Sequence, residues 1–466
     1  MKHLKHCLKW LFKRIFFLFG TLLLLVACIT SVFCDASKEP SSLWIVTEKV
    51  PSDGRGDALQ ELIPEFNRCY PEVNLKIEYI PTEDADRKEY LNTIREAIMN
   101  GGGPDVYLLP TKDVLVLNEP VVHTYKRVQM LFPDVEKAIR DDMFFDLSDL
   151  YNNDSALDKG SLQPEIMSAC VLNKGRFVLP LQFQMPVMYV FPETLSSYKI
   201  DTSALCLPFL QWAESVADRK DILLSCGAEY LSFNLFSDVI DYNENKVTLD
   251  VAELAEYLSV YQRNCENTSR EYMHRNNVTL AHYLQGEWKE YPVQLNSISS
   301  APVFAAIAAC EKKDIEMVPV YSDKEEVVAN VSYYGAIGRN CSEPSVAYQF
   351  LRLFLTDKGQ RALYTQNCKQ QVWPVRWMDG ISWIWEEAQN EARRYQTRTL
   401  YKVKDIVISQ EDIPILDCGI DAVRFPMAAP NILMLYENEI EGCAIEEDFT
   451  AVAEQIVDTL SRSLSE

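Results

Sequence analysis

The sequence predicts an α/β fold with parallel sheets, on three observations. Strand and helix signals alternate through its first third, 48% of the residues are hydrophobic, and the 466-residue chain is long enough for two or three structural units. Ser42 to Val46 (SLWIV) reads as a buried strand, and Asp57 to Cys69 carries apolar residues at helical spacing despite Pro64. Val73 to Ile80 (VNLKIEYI) alternates as a second strand. Glu89 to Met99 reads as a helix that Gly101-Gly102-Gly103-Pro104 ends, and Asp105 to Leu109 (DVYLL) is a third strand. Such a βαβαβ succession places helices on the faces of a parallel sheet.

The N-terminus speaks to compartment. Lys2, Lys5, Lys9, Lys13 and Arg14 precede an apolar run from Ile15 to Phe33, the order of an export signal. Within that run, Leu25-Val26-Ala27-Cys28 looks like a lipobox, which would make Cys28 the lipidated first residue of the mature chain. The alternative is an uncleaved anchor, because crossing a bilayer takes about 20 apolar residues. Either way the body is expected outside the cytoplasmic membrane, tethered to its outer face.

The net charge of −23 becomes −28 once residues 1–28 are removed, with 40 basic residues left against 68 acidic ones. An acidic surface of that size argues against nucleic acid or anionic lipid as a partner. Thirteen cysteines are present. Eleven remain beside Cys7 and Cys28, without CxxC pairs, so most of them read as buried free thiols, with an isolated bridge as the alternative.

A resemblance emerges from the order of the segments. The opening strand, the helix ending at Phe66 and Pro71, VNLKIEYIP, a helix and then GGGPDVYLL resemble the start of the family 1 extracellular solute-binding proteins. Further segments resemble the family in the same order: Asn173 to Pro180 followed by Met188 to Phe191, Asn245 to Tyr261 with Asp250 as a helix N-cap, Ile315 to Val320, and Tyr334 to Gln360. Trp373-Pro374-Val375 is similar to a hinge segment. Two departures stand out: five cysteines lie between Cys310 and Cys443, and the loop after the third strand reads Leu109-Pro110-Thr111-Lys112.

The resemblance implies a two-lobed periplasmic-binding-protein type II fold, each lobe a mostly parallel sheet with helices on both faces. Residues 41–184 and 316–372 would form lobe one, 185–315 and 373–466 lobe two, and 1–40 the anchor and linker. Crossover strands near Gln184-Met185-Pro186, Ile315 to Pro319 and Trp373 to Val375 would join two separately cored lobes that close on ligand. The function implied is capture of a small polar solute, a sugar or oligosaccharide, for an ABC-type permease, by a monomer without cofactor or metal.

Ligand contacts are expected at the carboxyl ends of strands. Position in the family singles out Thr47, Glu48, Thr111, Lys112, Gln182, Phe183 and Gln184, with Tyr230, Trp288 and Trp373 as aromatic platforms. Trp373, Trp377, Trp383 and Trp385 form a dense group that reads more as core than as a sugar site. Enzyme signatures fail together: GxSxG, HExxH, P-loop and GxGxxG are absent, and outside the signal only His123, His274 and His282 remain, widely spaced. Asp241 to Asn245 starts like a calcium loop, but Lys246 stands where glycine is needed. A surface-tethered ligand sensor of the same fold, or a glycan-acting enzyme, are the alternatives. Phe449, Val452, Ile456 and Leu460 mark a final amphipathic helix expected to pack on lobe two.

Overall fold

The computed structural model describes residues 41–48, 57–111, 114–117, 123–126, 129–168, 171–172, 175–200, 202–216, 219, 222–225, 240–241, 244–267, 291–322, 324–367, 373–396, 408–409, 413–414, 416, 419–424 and 448–465. The chain opens with β1 (Ser42–Glu48), α1 (Ala58–Cys69), β2 (Asn74–Ile80), α2 (Asp84–Met99) and β3 (Val106–Pro110). Asp57 begins α1 by accepting the Leu59 N–H at 2.9 Å, which satisfies one of the free amides of a helix start. β1 lies parallel between β2 and β3, as the βαβαβ pattern requires.

Three later segments complete this first sheet: β4 (Val178–Gln184), β9 (Val328–Ile337) and β10 (Trp373–Pro374). The order is β10-β4-β9-β3-β1-β2, with β11 (Ala422–Arg424) beside the start of β9. β9 is antiparallel to both β3 and β4, so those two run in the same direction. A second sheet, ordered β6-β7-β5-β8, holds β5 (Pro186–Val190), β6 (Leu223–Ser225), β7 (Val293–Ser297) and β8 (Glu316–Pro319).

Side-chain alternation on the strands divides the core. Val46, Tyr107, Leu109 and Val178 pack with Leu91 and Ile94 of α2 on one face of the first sheet. Met188, Val190, Val293 and Leu295 pack on one face of the second sheet. They meet Tyr257 and Leu258 of α3 (Val251–Asn267) and Ile456 and Leu460 of α8 (Phe449–Ser465). That final helix therefore packs where its apolar stripe predicts. Asp250 caps α3, accepting the Ala252 and Glu253 N–H groups at 2.8 and 3.0 Å.

The remaining faces share a third apolar cluster, which differs from the two separately cored lobes expected. It runs from Leu43, Ile45, Leu181 and Phe183 through Met185, Val187 and Tyr189 to Phe304 of α4 (Ala301–Glu311). The Tyr189 ring stacks on Phe304 with centroids 3.8 Å apart. The cause is local: β4 passes into β5 across the single residue Met185, so the strand alternation that buries Phe183 also buries Val187 and Tyr189. Apolar packing is thus continuous along one side of the crossing.

Three segments hydrogen-bond in the sheet other than the one their expected lobe implies, one of them being Ala422–Arg424, expected in lobe two but paired with β9 of the first sheet. Glu316–Pro319, expected in lobe one, pairs with β5, and Trp373–Pro374, expected at the head of lobe two, pairs with Phe183 and Gln182 of β4. These two lie against a crossing, where pairing extends past the change of lobe. Trp373 stands in this strand whereas Trp377 opens α7 (Trp377–Gln396), so the two do not share a helical face. Trp383 is buried and the Trp385 indole donates to the Ile408 carbonyl at 2.8 Å, in line with the core reading of this group.

Among the described residues no helix is long and apolar enough to cross a membrane. The apolar run at 15–33 and Cys28 lie outside them. Cys69, Cys206, Cys310 and Cys341 are free thiols, but contrary to expectation none is fully buried: Cys69 and Cys206 are exposed, the other two half-buried. Cys69 ends α1 and Cys206 lies in a short 3-10 turn, positions that face solvent.

Candidate functional site

Topology collects the strand ends. β1, β3 and β4 finish at one edge of the first sheet, placing Thr47, Glu48, Thr111, Gln182 and Gln184 there, beside the start of β9. β7 and β8 run antiparallel to β5, so their ends at Ser297 and Pro319 lie where β5 begins. The carboxyl edges of the two sheets therefore meet at the Gln184-Met185-Pro186 crossing, the location at which open α/β sheets hold small molecules. The Ile298 N–H donates to the Met185 carbonyl at 3.0 Å and ties the end of β7 to the crossing.

The buried polar groups at this junction are mostly neutral. Thr47, Thr111, Gln182, Gln184, Asn296 and Ser332 are each at most 6% exposed. Thr47 Oγ1 lies 3.2 Å from the Tyr333 hydroxyl, and that hydroxyl donates to the Leu108 carbonyl at 3.2 Å. Gln182 and Gln184 alternate with Leu181 and Phe183, so they point away from the shared apolar cluster. Gln184 Oε1, Asn296 Nδ2 and Ser332 Oγ are buried without a hydrogen-bond partner, and buried polar atoms normally have one.

Two of the expected contacts are engaged inside the protein. Glu48 accepts from Arg87 through both carboxylate oxygens, and Arg87 also donates to the Gln129 and Pro81 carbonyls at 2.7 and 3.2 Å. Burial raises the Glu48 pKa above the ordinary glutamate value, and Arg87 opposes that rise. Thr111 Oγ1 donates to the Val331 carbonyl at 2.5 Å. Phe183 and Trp373, opposite each other across the β10-β4 pairing, both belong to the shared apolar cluster, so the structure places Trp373 in the core. Lys112, Tyr230 and Trp288 lie outside the described residues.

No family model and no curated protein matches the chain. Solved structures do. An extracellular solute-binding protein of family 1 from Alicyclobacillus acidocaldarius superposes with a TM-score of 0.51 at 12% identity, over 92% of this chain and 100% of its own. A periplasmic oligogalacturonide binding protein from Yersinia enterocolitica gives 0.54 at 14%, over 91% and 99%. The fold is that of the two-lobed solute-binding proteins. A de novo designed cysteine esterase matches it too, with a TM-score of 0.54 at 14% identity, over 92% and 99%.

Two further buried polar residues at the junction, Asn296 and Ser332, are not singled out by the sequence reading. Asn296 Oδ1 accepts the Ser297 N–H at 2.8 Å and the Ser300 hydroxyl at 2.6 Å, which fixes the amide at the end of β7. A polar pair inside an apolar strand (VQLNS) is the signal for Asn296. No local pattern marks Ser332. The sequence marks Gln360 only as the end of a motif, yet its buried amide donates to the Leu181 and Phe354 carbonyls at 2.9 and 2.7 Å and accepts the Val375 N–H at 2.8 Å. It joins β4, α5 (Pro344–Leu353) with its following turn, and the segment after β10, from its place in α6 (Asp357–Asn367). Gly359 permits this, because a Cβ there would run into the Leu353 carbonyl oxygen.

Proposed function

We propose that the chain is an extracytoplasmic solute-binding protein that captures a small polar solute, a sugar or oligosaccharide, and presents it to an ABC-type permease. The observation that carries this reading is the junction itself: neutral amides and hydroxyls, three with unpartnered buried atoms, sit where the strand ends of both sheets meet. Hydroxyl-rich ligands match such groups, since each hydroxyl both donates and accepts. The Yersinia neighbour, named for binding an oligogalacturonide, supports the carbohydrate class.

In this reading Gln182, Gln184 and Asn296 contact the solute, with Thr47 at the rim and Lys112, Tyr230 and Trp288 as further contacts. The lobes, one built on the first sheet and one on the second, close by bending at the crossings, and affinity reflects the differential stability of the closed form. Cys28 carries the lipid that tethers a monomer to the outer face of the cytoplasmic membrane. The chain is not an enzyme, a reading supported by the missing catalytic signatures.

A thermal-shift screen of residues 36–466 against mono- and oligosaccharides, polyols and amino acids tests this. A ligand that binds only the native state raises the apparent Tm by mass action. At least one saccharide should do so, and a panel without a single shift overturns the carbohydrate reading.

A further inference from the structure

β9 and β4 fall out of step beside the junction. Val331 pairs with Phe183, but Gln182 pairs with Tyr333, which leaves Ser332 as an extra residue. Pairing is restored at Tyr334 and Pro180, with Leu181 skipped on the other strand. Such a bulge redirects a side chain and often borders a functional site.

Thr111 holds this bulge from the β3 side. Its N–H donates to the Ser332 carbonyl at 3.0 Å and its hydroxyl to the Val331 carbonyl at 2.5 Å, so one residue fixes both peptide groups. Ser332 is 6% exposed and its hydroxyl has no partner, as is true of the Gln184 side-chain oxygen on the adjacent strand. A bulge that served only strand pairing would have no use for a buried hydroxyl that bonds to nothing.

We infer that Ser332 lines the space that opens between the lobes and contacts the solute there, and that Thr111 is a positioning residue that aims it. The inference rests on the solute-binding reading and adds a contact that strand-end position alone does not provide.

Two measurements test it. In a Ser332→Cys variant, labelling by methyl methanethiosulfonate is followed by peptide mass spectrometry, which separates this site from the native cysteines. Labelling faster than global unfolding is expected, because the cleft opens without unfolding. Labelling no faster than unfolding means a sealed site and overturns the inference, whatever the protein binds.

Binding of maltotriose, mannotriose and trigalacturonate is measured in parallel. For a probe that binds the parent, Ser332→Ala should weaken affinity about five- to tenfold, the value of one hydrogen bond between neutral groups. Thr111→Val should weaken it similarly and Thr111→Ser restore it. An unchanged Kd for Ser332→Ala overturns the contact. Fast labelling in a protein that binds none of the three probes supports the inference and counts separately against the carbohydrate reading.

Discussion

The Arg87 guanidinium forks around the Glu48 carboxylate, with Nη1 2.9 Å from Oε2 and Nη2 2.5 Å from Oε1, both side chains being 2% exposed. This bidentate pair fastens α2 to the end of β1, at the rim of the junction. Removing one partner of a buried pair leaves a charge without compensation. Arg87→Leu should lower stability by about 3–5 kcal/mol in urea unfolding, and the double variant with Glu48→Leu should recover most of that loss. A double variant as unstable as the single one would mean that the packing, not the pair, matters.

Glu48 also sets a pH dependence. Burial raises its pKa, against the pull of Arg87, so the native state holds the proton more tightly than the unfolded chain. Its contribution to stability is therefore fully present below the ordinary glutamate value of 4.5 and is lost as pH rises through the raised one. The stability difference between the parent and Glu48→Gln should fall as pH climbs from 4.5 towards neutrality. A rising difference in chemical denaturation would reverse the sign.

The Gln360 amide supplies a third expectation. Gln360→Leu deprives the Leu181 and Phe354 carbonyls and the Val375 N–H of a buried partner, and each such loss costs about 1–3 kcal/mol. A drop of about 3 kcal/mol or more in urea unfolding is expected. Gln360→Glu, which keeps the acceptor for Val375 but loses both donated bonds, should be destabilised as well.

Thiol chemistry provides the fourth. Burial, helped by the Asp105 carboxylate, pushes the Cys341 thiol up to about 12. Only the thiolate reacts readily. At pH 8 iodoacetamide should modify exposed Cys69 and Cys206 well before Cys341, and raising the pH to 9 should bring little gain at Cys341. Equal rates at the three sites would contradict its burial.

Alternation and spacing made the first sheet readable. The strand at Ser42 and the apolar face of the final helix fell close to where the pattern set them, because the strand is a short apolar run buried on both faces and the helix buries a single stripe. The start of α2 was less legible: the pattern begins at Glu89, whereas the helix begins at Asp84, since its polar first turn carries no apolar signal. The strand ends that gather at the junction were readable from chain order and the resemblance together. What each side chain does there was not. Arg87 reaches Glu48 from 39 positions away, Thr111 meets Val331 across a strand pair, and the Ser332 bulge depends on two strands at once.

The position of β9 has a consequence for how the protein is made. The strand lies between β3 and β4, which precede it by far in the chain, so the first sheet has a slot at its centre until Val328 to Ile337 have been synthesised. A fragment ending at Gln184 would expose two facing edges to any neighbouring strand. Assembly must therefore wait for a distant segment, the kind of non-local closure that slows folding and leaves a nascent chain dependent on protection from aggregation.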